Sequence, residues 1–423
     1  MGIFDRMIER AFKRESTPAL AELRAQLAEA VRRTAREETI ALCDAILARA
    51  RDDRAALLAA GINRLKTGDP EGAAAHFARL DALDSGGAQT ARLLTESFID
   101  PRRVARGEPY VGTLDDVWID ADFWALIQGD RIYSLETQGR TMANSPRVRG
   151  RVTPDRARCV MTLPREPRKI EAPCILLGSD ANYAHWVLRD VLKLALIEGA
   201  GLPSGLPYLV ADDLRGWHRA YLELLGISEA RLLRVPADGV YACPRIYVPT
   251  QLRNHPRMAI GIDWLRAKLA PLLAPPAERT ELIYASRREQ SNRRLLNESA
   301  VEEMLSGMGF RVIVPGEMSV REQIDAFSRA RVVAGPHGAA LVNMVFAPPG
   351  ATLIEITSQA IQYMDEFRVL VAAAGQRSRT LVSQDIDSTQ PVANSREWHR
   401  DYRVELEALR GMVSEVLAEE ARS

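Results

Sequence analysis

At 423 residues the chain is long enough for two or three domains, each with a sizeable core. Hydrophobic residues make up 47%, and 56 Lys and Arg balance 56 Asp and Glu, so no net field draws nucleic acid or an anionic membrane, and any anion site must be built locally. The cysteines at 43, 159, 174 and 243 have neither the density of a disulfide framework nor the spacing of a zinc site, and no apolar run is long enough to span a bilayer, which together point to a reducing, cytoplasmic setting.

The first segment, MGIFDRMIERAFKR, puts Phe4, Ile8 and Phe12 on one helical face ringed by Arg and Lys. Such a helix docks onto its own protein or lies peripherally on a membrane surface. Arg6 stands where a myristoylation signal needs Ser or Thr. Residues 18–90 are rich in Ala, Leu, Arg and Glu with helical periodicity. Gly61, Gly68, Ala73 and Phe77 have the spacing of a tetratricopeptide unit over 54–87, turning at 67–70. Gly61 is expected where the paired helices approach, with Ala73 and Phe77 in their seam. Residues 20–53 resemble a degenerate preceding unit. Residues 1–95 are therefore expected to be a helical, tetratricopeptide-like extension that caps the protein or docks a protein partner; a plain helical hairpin fits the same pattern.

Residues 96–170 change character. Short strand-like pieces at 117–119, 124–127, 131–134 and 159–163, punctuated by Gly and Pro, predict a β-rich connector. Asp120-Ala121-Asp122 has the form of a metal-binding aspartate pair, but two aspartates this close are common, and a surface turn is expected. Residues 171–276 then alternate: strand 175–177, helix 182–198, strand 207–211, helix 214–225, strands 232–235 and 245–248, and helix 257–273, ended by Pro275-Pro276. Residues 277–395 begin a second α/β unit with strand 282–285, the basic loop SRREQSNRR, helix 298–308 and strand 310–314. Ser319 and Glu322 form a capping box for the next helix. The unit continues with a helix at 359–374 and a strand at 378–383, and residues 397–420, in a C-terminal segment of 396–423, are expected to form a last amphipathic helix. Alternation of this kind predicts doubly wound parallel sheets.

Between those elements lies RVVAGPHGAALVNMVFAPPGATLIEI, residues 331–356. It reads as a strand, a Gly-Pro-His-Gly turn, a helix over 339–346, a Pro-Pro-Gly stop and a second strand. A helix joining two strands makes them parallel. The turn from Gly335 to Gly338 therefore sits at a strand's C-terminal end and a helix N-terminus, where free N–H groups and the dipole suit a phosphate or diphosphate. Gly338 would admit a ligand close to the backbone, and His337 adds a donor. A structural turn capped by a histidine fits equally. No Gly-x-Gly-x-x-Gly occurs, which argues against a dinucleotide-dependent oxidoreductase.

Three segments, NYAHWVLRD at 182–190, ASRREQSNRRLLNE at 285–298 and GPHGAALVNMVFAPPGATLIEI at 335–356, together resemble glycosyltransferase family 61. The resemblance runs from about residue 171 to 383 and leaves the N-terminal helices outside it. It implies an α/β fold of the GT-B type, with two Rossmann-like domains facing a cleft: 171–276 for the acceptor and 277–395 for the donor. It implies inverting transfer of a sugar from a nucleotide diphosphate sugar to a glycan or lipid-linked hydroxyl, with no metal or cofactor required. The Ala- and Arg-rich composition suggests a bacterial protein, and with the resemblance this implies a role in surface polysaccharide synthesis, cytoplasmic or peripheral at the inner membrane.

Without a metal, the leaving diphosphate must be stabilised by helix ends and guanidinium groups. The candidates are Gly335, His337, Gly338 and Ala339 in the turn and, as the resemblance implies, Asn292, Arg293 and Arg294 in the basic loop, with Arg287 and Arg288 behind them. By the resemblance, Glu355 would hold the ribose hydroxyls, and Asn343 would face either ligand or solvent. The acceptor's base is His185 or Asp190. Family members carry an acid four residues after the histidine; here that residue is Arg189, and the acid comes one later. That departure keeps a second reading open, a non-catalytic scaffold with a degenerate transferase fold and helices for protein binding.

Overall fold

The computed structural model describes residues 17–138, 142–148, 150–384 and 399–422. Phe4, Ile8 and Phe12 lie outside the described residues. Four helices come first, α1 (Pro18–Arg32), α2 (Arg36–Arg49), α3 (Arg54–Thr67) and α4 (Pro70–Asp84), each packed on the next. Asp53 and Asp69 cap α3 and α4 by accepting bonds from the N–H groups of Ala56 and Gly72. Gly61 lies against the Phe77 ring, and a Cβ there would come within 2.7 Å of it. Ala73 and Phe77 are fully buried. Arg151 stacks over Phe77 at 4.3 Å and pairs with Asp81 of α4, fastening the helices to the sheet that follows.

That sheet has ten strands among the described residues: β1 (Gln89–Glu96), β2 (Val111–Asp120), β3 (Ala125–Gln128), β4 (Arg131–Tyr133), β5 (Arg158–Pro164), β6 (Arg168–Lys169), β7 (Cys174–Leu176), β8 (Tyr208–Ala211), β9 (Leu232–Val235) and β10 (Val240–Pro249). Their order is β5-β1-β4-β3-β2-β10-β7-β8-β9, with β6 beside β10. The expected division at 170/171 runs through this sheet, and β10 is the seam. One edge of β10 pairs antiparallel with β2, from Val240 opposite Asp120 to Pro249 opposite Val111; the other pairs parallel with β7. A long strand carries backbone donors and acceptors on both edges, and each layer satisfies one of them. Asp120, expected in a surface turn, is buried at the end of β2 and bonded to Arg147 at 2.8 Å. Burial pushes its carboxyl up to about 6 against the pull of Arg147.

The second sheet is parallel throughout: β11 (Glu281–Ala285), β12 (Arg311–Ile313), β13 (Ala330–Pro336), β14 (Thr352–Ser358) and β15 (Arg377–Ser383), in the order β12-β11-β13-β14-β15. The chain steps outward from β11 to β12, then returns and proceeds the other way from β13. The topological switch point therefore lies between β11 and β13, where the loops after those strands diverge and leave a crevice. Helices α5 (Ala259–Lys268), α6 (Glu298–Gly307), α7 (Val320–Arg329), α8 (Glu366–Ala373) and α9 (Leu406–Glu420) flank the two sheets. The Ser319–Glu322 capping box opens α7, with reciprocal bonds of 2.7 and 3.3 Å. A single apolar core joins the units, from Leu188 and Val191 through Phe327 and Val342 to Phe367.

Three of the elements that differ from the sequence expectation bear on the site. The helix over 182–198 is broken: a helical turn at Tyr183–His185, a π segment at Trp186–Val191, then Leu194–Gly199. The bond from Leu192 N to Val187 O, 3.0 Å, marks the wider turn. The segment after the Gly-Pro-His-Gly turn is a 3₁₀ helix, Ala339–Val345, in place of an α-helix. The last helix begins at Leu406, and residues 399–405 before it lie against the basic loop.

Candidate active site

One wall of the crevice is built from the loop after β7. Gly178 turns that loop with φ of 82°, and a Cβ there would stand 3.0 Å from a carboxylate oxygen of Asp190. Asp180 is fixed from two sides. Its N–H donates to Asp190 Oδ2 (3.0 Å), and its carbonyl accepts from His218 Nε2 (3.1 Å). His218 Nδ1 accepts the Arg215 N–H at 2.8 Å, which places the ring proton on Nε2. Burial holds His218 down to about 4, so the ring is neutral. Asn182 caps the helical turn by accepting from the N–H groups of Ala184 and His185 (3.0 and 3.2 Å).

His185 consequently projects from a helix start with Nδ1 3.4 Å from Asp180 Oδ2, and Arg189 Nη1 lies 2.8 Å from the same oxygen. The side chains of His185 and Asp180 remain 20% and 14% exposed. Burial lowers the His185 pKa, opposed by its bond to Asp180. Burial alone would raise the Asp180 carboxyl, but His185 and Arg189 hold it at about 2. Near neutral pH the pair is thus an uncharged imidazole beside an ionised carboxylate.

Asp190 lies behind this pair. It is sealed at 2% exposure with Lys193, 3.2 Å away, and burial raises the carboxyl while lowering the ammonium. An acceptor hydroxyl has no access to it there; its role is to hold the Asp180 backbone. The carboxylate that partners His185 comes five residues before it in the chain, not four or five after it. Neither Asp180 nor His218 stood out by spacing. The signal for Asp180 was its place between a strand and an Asn-capped helix start.

The facing wall is the end of β13. At Gly335 a Cβ would meet the Ala285 carbonyl at 2.9 Å, so glycine lets β13 and β11 close up. His337 donates its N–H to Ile356 O (2.8 Å) and turns its ring inward, with Nδ1 2.6 Å from Glu355 Oε1 and Phe367 packed at 5.0 Å. Glu355, expected to hold a ribose, is therefore occupied by His337, and both side chains are 3% exposed. Gly338 is close-packed by protein instead of open to a ligand. A Cβ there would lie 2.7 Å from the Arg287 side chain, whose Nη1 donates to the His337 carbonyl. Ala339 begins the 3₁₀ helix, which offers a weaker dipole end than the expected α-helix. Asn343 is fully buried and faces no solvent. Its Oδ1 accepts from Tyr183 OH (2.9 Å) and its Nδ2 donates to Gln323 Oε1 (2.7 Å), tying the two units together.

The basic loop is held by the C-terminal segment. Arg293 N donates to His399 O and Tyr402 N to Arg294 O, at 3.2 and 3.0 Å. Arg294 turns outward, exposed, with its Nε 2.9 Å from Asp401 Oδ2, and shares no crevice with His337. Asn292 is exposed, 3.4 Å from His399 and 3.5 Å from Arg287. Arg293 turns the other way, half-buried, with φ of 50° and an Nε that lacks a hydrogen-bond partner. Burial and neighbouring Arg287 lower its pKa.

Glu366, at the start of α8, joins the two walls. Its Oε2 accepts from Arg253, which follows β10, and its Oε1 lies 3.8 Å from His337 Nε2. Burial pushes the carboxyl up, but Arg253, His337 and His185 together hold it below the usual carboxylate range. His185 and Arg253 from the first unit thus meet His337, Arg293 and Glu366 from the second. Among the described residues no three His, Cys, Asp or Glu side chains form a group that could hold a metal ion. The arrangement supplies a neutral, half-open imidazole, able to take a proton, next to cations able to receive a developing negative charge.

A mixed α/β molecule with such a crevice at the C-terminal ends of parallel strands fits a group-transfer enzyme of the α/β glycosyltransferase kind. The family model for glycosyltransferase 61 matches residues 162–354, from β5 into β14, and this segment of the chain is similar to that family. The family carries glycosyltransferase activity, which implies a sugar donor and a glycan acceptor. No curated protein matches the chain. No helix among the described residues is long and apolar enough to cross a membrane.

Proposed function

We propose that the protein is an inverting glycosyltransferase of GT-B layout. It moves a sugar from a nucleotide diphosphate sugar to a hydroxyl of a glycan or lipid-linked acceptor, in the synthesis of a bacterial surface polysaccharide. The reading is carried by one observation: the His185–Asp180 pair lies beside Arg253 on the first unit and meets Glu366 of the second. In the proposed step His185 takes the acceptor's hydroxyl proton as that oxygen bonds to the anomeric carbon. The bond from that carbon to the donor's phosphate breaks, and its electron pair leaves on the diphosphate. Arg253, Arg293 and Arg287 stabilise that charge, and Asp180 the imidazolium. His337, locked by Glu355, positions the turn around the site. The four N-terminal helices are read as a tetratricopeptide-like docking surface for a partner, in a protein working in the cytoplasm or at its membrane face.

A thermal-shift panel of nucleoside diphosphates and nucleotide sugars tests this reading. Ligands that bind only the folded state raise its melting point. A matching nucleotide sugar should raise it and be turned over, and His185→Gln should bind the same donor without turnover. A panel in which no nucleotide shifts the melting point sinks the proposal.

A further inference from the structure

We infer that Glu366 is an internal substitute for the donor's diphosphate: its carboxylate fills an anion position in the crevice, and a nucleoside diphosphate binds by displacing it from Arg253. This rests on the nucleotide-sugar reading above.

The contacts of Glu366 are those expected of a bound anion. One oxygen bonds Arg253, and the other stands 3.8 Å from His337 Nε2, beyond hydrogen-bond range. His185 and Arg293 interact electrostatically with the same carboxylate. A single carboxylate does not satisfy the two guanidinium groups. Arg253 Nε and Arg293 Nε are both buried with no hydrogen-bond partner. A diphosphate carries more acceptor oxygens and more charge than one carboxylate, and guanidinium groups suit it. Both anions cannot hold Arg253 at once, because like charges this close repel. Glu366 has room to leave: it begins α8, its side chain is 15% exposed, and the segment before it carries the exposed Tyr363.

The same feature gives the Arg253–Glu366 pair a function. With Glu366 in place, Arg253 bridges the two units; with a diphosphate in place, the ligand does. Glu366 thus sets a threshold that favours doubly charged ligands over nucleosides and monoanions.

Calorimetric titration of nucleoside diphosphates and the matching nucleosides into wild type, Glu366→Gln, Glu366→Ala and Arg253→Gln provides the test. Both Glu366 variants should bind the diphosphate about tenfold more tightly with nucleoside affinity unchanged, and Arg253→Gln should bind it more weakly. If wild type binds and the Glu366 variants bind equally or less tightly, the substitution idea is overturned while the donor reading stands. If wild type and variants alike bind no nucleotide, both fall. Should the variants not fold, a wild-type complex decides. Glu366 must have left Arg253 there, and a diphosphate bound with that ion pair intact refutes the inference.

Discussion

The molecule contains two histidine–carboxylate pairs that face the same crevice and differ in burial. His185 and Asp180 are 3.4 Å apart and 20% and 14% exposed; His337 and Glu355 are 2.6 Å apart and 3% exposed. A group that takes a proton from a substrate needs contact with it, whereas a group that fixes a turn is best sealed. The looser pair therefore suits chemistry and the tighter pair architecture, although the histidine with the shorter bond would be the first choice by distance alone. The contrast also explains Asp190: it belongs with the sealed groups, together with Lys193.

The largest effect should come from the open pair. His185→Gln is expected to lower turnover by about 10²–10⁴-fold while leaving the melting temperature nearly unchanged; a variant that unfolds at equal activity would reverse the contrast. Breaking the sealed pair should act on stability. His337→Leu leaves Glu355 buried without its partner, and denaturant unfolding should show a loss of about 3–5 kcal/mol. Asn343→Leu strands Tyr183 OH and the Gln323 side chain, for a loss of about 1–3 kcal/mol in the same assay. The pH profile sharpens the comparison. The folded-state pKa of His185 is depressed from 6.5, so the base stays neutral down to lower pH than a free imidazole. Turnover should fall on acidification only below pH 6.5, and an acidic limb centred above it would exclude His185 as the base. The smallest effect is expected at Arg294, which is exposed and held by Asp401. Arg294→Gln should change nucleoside diphosphate affinity by no more than about twofold.

Much of the fold was legible. The strands at 117–119, 175–177 and 282–285 were marked by β-branched runs, the Ser319–Glu322 box by its spacing, and the close approach at Gly61 by its distance from Ala73 and Phe77. That a basic loop follows β11 was legible, but which of its arginines turns inward was not. That choice is made by residues 399–402, which pair with the loop across about a hundred positions of sequence; Asp401 draws Arg294 outward. Glu355 and Asn343 were credited to a ligand because their types suit one. Their partners, His337 and the Tyr183–Gln323 pair, are assembled only by packing. Glu366 and Arg253 went unnoticed because each is one charged residue in an otherwise ordinary segment.

Local chemistry, readable from the chain alone, set the alternation of strands and helices, the caps, the turn at Gly335–Gly338 and the presence of basic and imidazole groups near strand ends. Those features depend on neighbours a few residues apart, and periodicity records them. The tertiary structure alone decided that β10 would serve two layers, that Asp180 and not Asp190 would face His185, and that Arg253 would reach Glu366 across the seam. Each of these depends on the direction of a side chain relative to a distant element, and burial and charge pairing fix that direction only once the sheets have packed together.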